Sequence, residues 1–285
     1  MKIVKVIGCI LLVLIIGCVI YLKIPYSPEK EKFHKAMQKR TDGTKAVQEV
    51  CSREEIEQLP EPVKKYCEYI GLENFPKYQV VNAVFNDTDF VFDTKSGKVI
   101  NMDYDLWLFD GDFYRSAYCG SSMYGIPFEG IDYATEDKQG GMKGILAKKI
   151  QIFDVHDEQG YKAGLISWLA ESATINPSVL LSPYVTYEQL DDTHVKATVS
   201  YNGVSGFGTF TFNEEGAITE FYSPERQVEE IDGEKMELGW KCIYEEYQER
   251  NGIKIATKIK STKIFPDGKE LVYFAAEDYT VRYIK

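Results

Sequence analysis

Hydrophobic spacing along the chain changes character three times, and each change predicts a different element. From Val6 to Leu22, 17 residues carry no charge and are bracketed by Lys5 and Lys23. That length is the lower edge of what crosses a hydrocarbon core as a helix, and Tyr21 suits the interface. Residues 27–45 are polar and charged, which predicts a helical juxtamembrane stalk from about Pro28 to Arg40, broken at Asp42-Gly43. Ser52 and Glu55 form a capping box. Leu59-Pro60-Glu61-Pro62 interrupts. Val63, Tyr66, Cys67 and Ile70 then share one face of a short helix that Gly71 stops.

After Phe75 the period falls to two. Ile100, Met102, Tyr104, Leu106 and Leu108 alternate with Asn101, Asp103 and Asp105, and Asp110-Gly111 signals a hairpin turn. Val195, Ala197, Val199 and Tyr201 alternate with Lys196, Thr198 and Ser200 ahead of a second signal, Asn202-Gly203. Phe210 and Phe212 share a face, and Gly216 closes that strand. Ile253, Ile255 and Ile259 alternate with lysines, Pro266-Asp267-Gly268 turns, and Leu271 to Tyr283 returns. Short turns imply antiparallel pairing, because parallel neighbours need long crossovers.

One helix interrupts the strands. Tyr161, Leu165, Trp168 and Leu169 form its apolar stripe, and Asn176-Pro177 ends it. A single helix within a run of antiparallel strands predicts a curved sheet wrapped on that helix, with Gly206 and Gly208 relieving crowding at a bend. The expected fold is α+β in three parts. Residues 1–26 form an amino-terminal membrane anchor, and 27–75 a helical stalk with short helices. Residues 76–285 form a large curved antiparallel sheet, a partial barrel with one helix packed on its concave face.

Composition then narrows the function classes. At 44% hydrophobic and 27% charged, the chain has the make-up of a folded protein. Lys2, Lys5 and Lys23 precede residue 28; without them, 30 basic residues face 44 acids, so the body carries −14. A body that acidic is a poor partner for nucleic acid, whose binding rests on neutralising phosphates. The three histidines lie far apart, so no metal site and no cofactor are expected.

The apolar segment has two readings. Ile15-Ile16-Gly17-Cys18 has the form of a lipid-attachment site, but the apolar run continues to Leu22, which favours an uncleaved anchor. The expected bilayer contact is residues 6–22. Lysines following the segment place the body in the cytoplasm by a literal charge count. The short basic start has the form of an export signal, and the reading adopted is an extracytoplasmic body at the cell membrane. Cys51, Cys67, Cys119 and Cys242 remain outside the segment and permit three pairings. Free thiols are the simpler reading, a Cys51–Cys67 bridge the alternative.

Catalytic templates are missing: the chain has no GxSxG, no GxxxxGK[ST], no HExxH and no CxxC. Gly140-Gly141-Met142-Lys143-Gly144 reads as a tight strand connection rather than an anion cradle, since it lacks strand–loop–helix context. Cys119-Gly120-Ser121-Ser122 has no histidine nearby in sequence. In His156-Asp157-Glu158, Asp157 reads as a helix cap and not a metal ligand. The acid runs Glu229-Glu230-Ile231-Asp232 and Glu245-Glu246 read as solvated faces. More informative are Glu171, at the edge of the helix stripe, Arg226, after the strand end at Ser223-Pro224-Glu225, and Asp132 beside Tyr133. A carboxylate beside an apolar stripe needs a partner, and arginine is the natural one. Either these groups make a structural ion pair, or they form the polar end of an apolar cavity. Trp168 and Trp240 are candidate cavity aromatics in a chain that is 13% aromatic.

Several stretches together resemble one family. Leu59-Pro60-Glu61-Pro62-Val63-Lys64-Lys65-Tyr66 is similar to the Leu-Pro-x-Pro-Val-x-Arg-Tyr opening of an uncharacterised bacterial family, domain of unknown function 6544 or its close relative 6920. Asp132-Tyr133 with Gly140-Gly141-Met142 resembles its Asp-x-Tyr, Gly-x-Gly-x-Met segment. Trp168-Leu169-Ala170-Glu171 followed by Asn176-Pro177-Ser178-Val179-Leu180-Leu181 resembles its Leu-Ala-Glu, Pro-x-Ala-Leu-Leu segment, and Arg226, Trp240 and Gly252 fall at its later marks. Lys65 departs from the expected arginine, the Asp-Tyr spacing is contracted, and some middle tryptophans are missing. The resemblance spans roughly residues 50–285, implies an amino-terminal membrane segment, and implies no reaction.

The expectation is a membrane-tethered domain that binds a lipid or other apolar small molecule in a cavity of the sheet. That architecture resembles the bacterial lipoprotein carriers, an analogy of fold alone. Two alternatives come from other classes. One is a hydrolase or isomerase using Asp132 and Glu171 as a carboxylate pair. The other is a structural or protein-interaction domain with a filled core.

Overall fold

Two sequential meanders build the sheet. In the computed structural model, which describes residues 2–93, 97–229 and 235–285, the first meander comprises β1 (Val80–Asp93), β2 (Lys98–Phe109), β3 (Tyr114–Met123), β4 (Ile126–Ala134), β5 (Gly140–Leu146) and β6 (Ile150–Asp157). The second comprises β7 (Val185–Gln189), β8 (His194–Tyr201), β9 (Val204–Phe212), β10 (Ile218–Glu229), β11 (Lys235–Arg250), β12 (Ile253–Ile264) and β13 (Glu270–Ala276). They join where β1 pairs β13, giving one antiparallel path from β6 through β1 and β13 to β7. β14 (Thr280–Tyr283) pairs with β1 beside β13.

Consecutive strands β6 and β7 are therefore opposite edges of the path. The chain connects them through α5 (Glu158–Ile175) and a 3-10 turn, Pro177–Leu181. That route carries the helix across the sheet, and right-handed twist accumulated over many strands curls the sheet around it into a half-barrel. The main core lies between the concave face and α5, where Leu106, Leu165, Trp168 and Phe221 are buried.

Local chemistry explains the elements. Asn202 and Gly203 both take positive φ, 52° and 79°, the backbone that a two-residue hairpin turn requires. Asp157 caps α5, accepting from the Gly160 N–H at 2.7 Å. The glycine-rich stretch at 140–144 is β5 itself, which corrects its reading as a connection. There the start of α5 lies directly on the strand: a Cβ at Gly160 would stand 2.0 Å from the Gly140 carbonyl oxygen. Gly206 and Gly208 make room for the Ile166 side chain and the Phe221 ring. The return from Leu271 is two strands, broken where Tyr279 turns inward and stacks on Phe85 at 4.5 Å.

The amino-terminal helices differ from expectation in one respect. α1 (Lys2–Lys23) is long and apolar enough to cross a membrane, a test that an amino-terminal signal sequence also meets. α2 (Pro28–Gly43), expected as a stalk, packs on the convex face of the sheet: Phe33 and Met37 are buried with Val80, Trp107, Phe109 and Tyr118. Arg40 stacks on Tyr114 at 4.0 Å and pairs with Glu136 at 3.1 Å, and Lys285 Nζ donates to the Thr41 carbonyl at 2.8 Å. Buried Lys148, between β5 and β6, donates to the Tyr21 and Ile24 carbonyls at 2.9 and 2.6 Å. A lysine at a helix carboxyl end satisfies its free carbonyls and complements its dipole. The Ser52–Glu55 capping box opens α3 (Arg53–Ile56), and α4 (Glu61–Ile70) ends at Gly71, with Val63, Tyr66, Cys67 and Ile70 buried. Residues 230–232 of the acid run from Glu229 lie outside the described residues.

The turn between β2 and β3 carries a titration. Burial pushes the Asp110 carboxyl up to about 6, against an ordinary 3.8, although the Gly111 N–H and Ser182 hydroxyl oppose it. With the folded value raised, the fold holds a proton that the unfolded chain has released. Stability therefore falls as pH rises from about 4 to about 6 and stays lower above that window. Asp110→Asn is expected to raise stability at pH 8 by on the order of 1–2 kcal/mol, below the full linkage value because the residue is only half-buried, and not at pH 3. Thermal melts across pH check this; an equal gain at both ends would assign it to turn geometry instead.

Candidate functional site

Between α5 and the concave face lies a cavity of about 350 Å³. It exists because α5 turns small residues toward it: Gly160, Ala163, Gly164 and Ser167 line it, with Glu171 and Ile175 continuing the same face. The bulky stripe of Tyr161, Leu165, Trp168 and Leu169 packs into the core instead. Opposite the small face stand apolar side chains, among them Phe85, Met102, Phe153, Val155, Ile259 and Phe274. Volume and lining fall within the range of small-molecule pockets.

One polar pole of the cavity centres on Arg115 of β3, a residue the sequence did not single out. Its side chain is 3% exposed. Nε and Nη2 donate to the two carboxylate oxygens of Glu171, both at 2.7 Å, and Nη1 donates to Asp132 Oδ2 at 2.7 Å. Nη2 also donates to the Tyr104 hydroxyl at 2.7 Å. Register explains the convergence: Leu108 and Ala134 flank Arg115, while small Ala117 lies between Leu106 and Asp132, leaving the guanidinium a floor to extend across. Burial alone would depress the Arg115 pKa, but Asp132 and Glu171 outweigh it and hold the group well above its ordinary value. Buried charges persist where they are paired in this manner.

The other pole comes from the second meander. β10 does not end at Ser223; between Ser223 and Arg226 it bulges against Trp240 and Leu238 of β11, which carries the strand past Pro224 and re-aims Arg226. The Arg226 guanidinium stacks 4.3 Å from the Trp240 ring centroid and donates from Nη1 to the Tyr273 hydroxyl at 3.1 Å. Trp240 Nε1 donates to the same hydroxyl at 2.8 Å. Arg226, Trp240 and Tyr273 all line the cavity.

The expected site residues separate into those the cavity gathers and those it does not. Asp132, Glu171, Arg226 and Trp240 line one cavity. Glu171, however, pairs with Arg115, which corrects Arg226 as its partner. Tyr133 is outside the lining; adjacent strand residues face opposite ways, and its hydroxyl donates to Asp154 Oδ1 at 3.3 Å. Trp168 is also outside it, on the core side of α5, edge-on to Phe113 at 5.5 Å. Cys119 and Cys242 line the cavity as free thiols, and burial pushes the Cys242 thiol up to about 12 and the Cys119 thiol higher still. Such thiols are poor nucleophiles. Cys51 and Cys67 are buried and free. Among the described residues, no group of three or more His, Cys, Asp or Glu is arranged to hold a metal ion.

Residues 49–276 match a family of unknown function, DUF6544. The chain belongs to that family. Two solved structures are similar to this DUF6544 chain. One is a LolA superfamily protein from Nitrosomonas europaea, 11% identical, with 83% of this chain and 95% of that one covered at a TM-score of 0.35. The other is a DUF1329 family protein from Desulfovibrio piger, 12% identical, covering 72% and 86% at a TM-score of 0.29. Likenesses at that level assign neither a ligand nor an activity. No curated protein matches.

Proposed function

We propose that the domain is a membrane-tethered binding protein that holds a lipid or other apolar ligand in the cavity beneath α5. The observation that carries this reading is the cavity itself: about 350 Å³, walled by apolar side chains and by a helix face of small residues, with a polar group at each of two poles. Asp132, Glu171 and Arg226 are its polar ends in this reading and Trp240 an aromatic wall. A filled-core interaction domain would have no use for that volume. The carboxylate-pair alternative has in its favour that Asp132 and Glu171 meet in the cavity, and against it that Arg115 engages both. We read α1 as a single-pass anchor and the body as extracytoplasmic, on the short basic start before the apolar run.

Ala163→Phe tests the reading, because it fills the space from the helix face and leaves the residues of both poles unchanged. Full-length wild type and variant, purified side by side in a maltoside detergent, are extracted with organic solvent and their bound molecules quantified by mass spectrometry. Wild type is expected to carry an apolar molecule that the variant has largely lost, with melting preserved. Equal amounts in both would sink the cavity as the binding site.

A further inference from the structure

The donor inventory at the second pole is unbalanced. A tyrosine hydroxyl offers two acceptor lone pairs and one donor hydrogen. In Tyr273 both acceptor positions are taken, by Arg226 Nη1 at 3.1 Å and Trp240 Nε1 at 2.8 Å. Its own hydrogen finds no acceptor among the described residues. Among the described residues, Arg226 stacks on Trp240, donates once, to Tyr273, and forms no ion pair with a carboxylate. Arg115, in the same cavity, has two carboxylates and a hydroxyl.

We propose that Arg226 and Tyr273 form an oxyanion-accepting pole, which takes the carboxylate or phosphate head of an amphiphile whose chain lies along the apolar lining. This rests on the cavity reading above and names the class of ligand. The arrangement suits an anion in three respects. The free guanidinium edge and the Tyr273 O–H are donors with nothing to donate to among the described residues, and both belong to the cavity wall. Stacking on Trp240 holds the guanidinium plane in place before any ligand arrives, so little side-chain freedom remains to be lost. Burial keeps the Tyr273 hydroxyl pKa above its ordinary value, so its hydrogen stays on the oxygen as a donor. Hydrogen bonds to an ionised oxygen are the strong class, about twice the neutral kind. The first pole cannot take this role, since Asp132 and Glu171 would repel an anion there.

The test uses the full chain in dodecyl maltoside and compares hexadecanoate and hexadecyl phosphate with uncharged hexadecanol, with inorganic phosphate as a separate arm. Binding is followed by quenching with brominated analogues, since Trp240 forms part of the pole. The charged amphiphiles are expected to bind wild type about tenfold or more tightly than the alcohol. Arg226→Gln is expected to erase that preference while leaving hexadecanol affinity unchanged. Tyr273→Phe, which keeps the ring packing, is expected to reduce the preference in part, and it serves if Arg226→Gln melts early. Inorganic phosphate that binds alone with the same Arg226 dependence, and no benefit from a chain, would support the oxyanion pole and identify the anion as free phosphate. Equal binding of acid and alcohol in wild type would overturn the pole and leave the cavity reading standing. Binding of no amphiphile would overturn both.

Discussion

Replacing Arg115 by methionine is expected to cost about 3–5 kcal/mol of stability, the largest effect of any single side chain in the cavity wall. The residue is 3% exposed and stands between two carboxylates and a tyrosine hydroxyl. Removing it leaves Glu171 and Asp132 facing each other with no cation between them. At this chain length the loss corresponds to a melting shift of roughly 10 °C. The triple variant Arg115→Met, Asp132→Asn, Glu171→Gln is expected to recover a substantial part, because it withdraws the stranded charges together with their partner. Thermal unfolding of full-length protein in one detergent compares all three. A single variant melting within a degree or two of wild type would show that the cluster contributes nothing to the fold. A triple variant no better than the single would move the cost from charge to packing.

The second large effect is expected at Gly160. Its ideal Cβ would stand 2.0 Å from the Gly140 carbonyl oxygen and 2.6 Å from that carbonyl carbon, both backbone atoms that cannot swing aside. Gly160→Ala must therefore lift the first turn of α5 from β5, at a cost of about 3 kcal/mol, the upper end of ordinary overpacking. Gly43→Ala is the control, since nothing lies within 4 Å of a Cβ there. Urea midpoints of the two variants should separate clearly; coincident midpoints would mean that helix and strand are not in backbone contact. The lifted turn also carries Ala163 and Gly164 away from the cavity, so ligand retention should fall along with stability.

Much of this architecture was legible because its signals are local. The Ser52–Glu55 box, the Gly71 stop, the Asn202-Gly203 turn and the Asp157 cap each act within a few residues, and each is found where its chemistry requires. Curvature around one helix followed from counting turns. The docked α2 was less visible, yet a signal existed. Leu106-Trp107-Leu108-Phe109 abandons the alternation of β2, and that strand is buried on both faces where Phe33 and Met37 cover it. Arg115 is not legible in the sequence for a different reason. Its partners lie 17 and 56 residues away, and no local pattern links them. The trace it left was being the single charge in an otherwise uncharged strand, Tyr114–Met123. The cavity itself was hidden in plain spacing: Gly160, Ala163, Gly164 and Ser167 repeat at helical intervals, but attention to bulky residues passes over the small ones that leave space. Arg226 stands out in the sequence, but a carboxylate partner for it does not follow, because sequence cannot show which strands a sheet sets side by side, and Glu171 pairs with Arg115.

The lysine that grips the end of α1 changes how the amino-terminal segment should be pictured. A polar linker of comparable length would act as a leash, letting the body sweep a hemisphere around its point of attachment. Lys148 closes that freedom by bonding the Tyr21 and Ile24 carbonyls, and α2 clasps the sheet immediately afterwards. The carboxyl end of the apolar helix is thus bonded to the sheet and does not hang from it on a free linker. With α1 as the anchor proposed above, those bonds would set the height of the cavity over the bilayer, so that a ligand would have to come to the cavity and not the cavity to it.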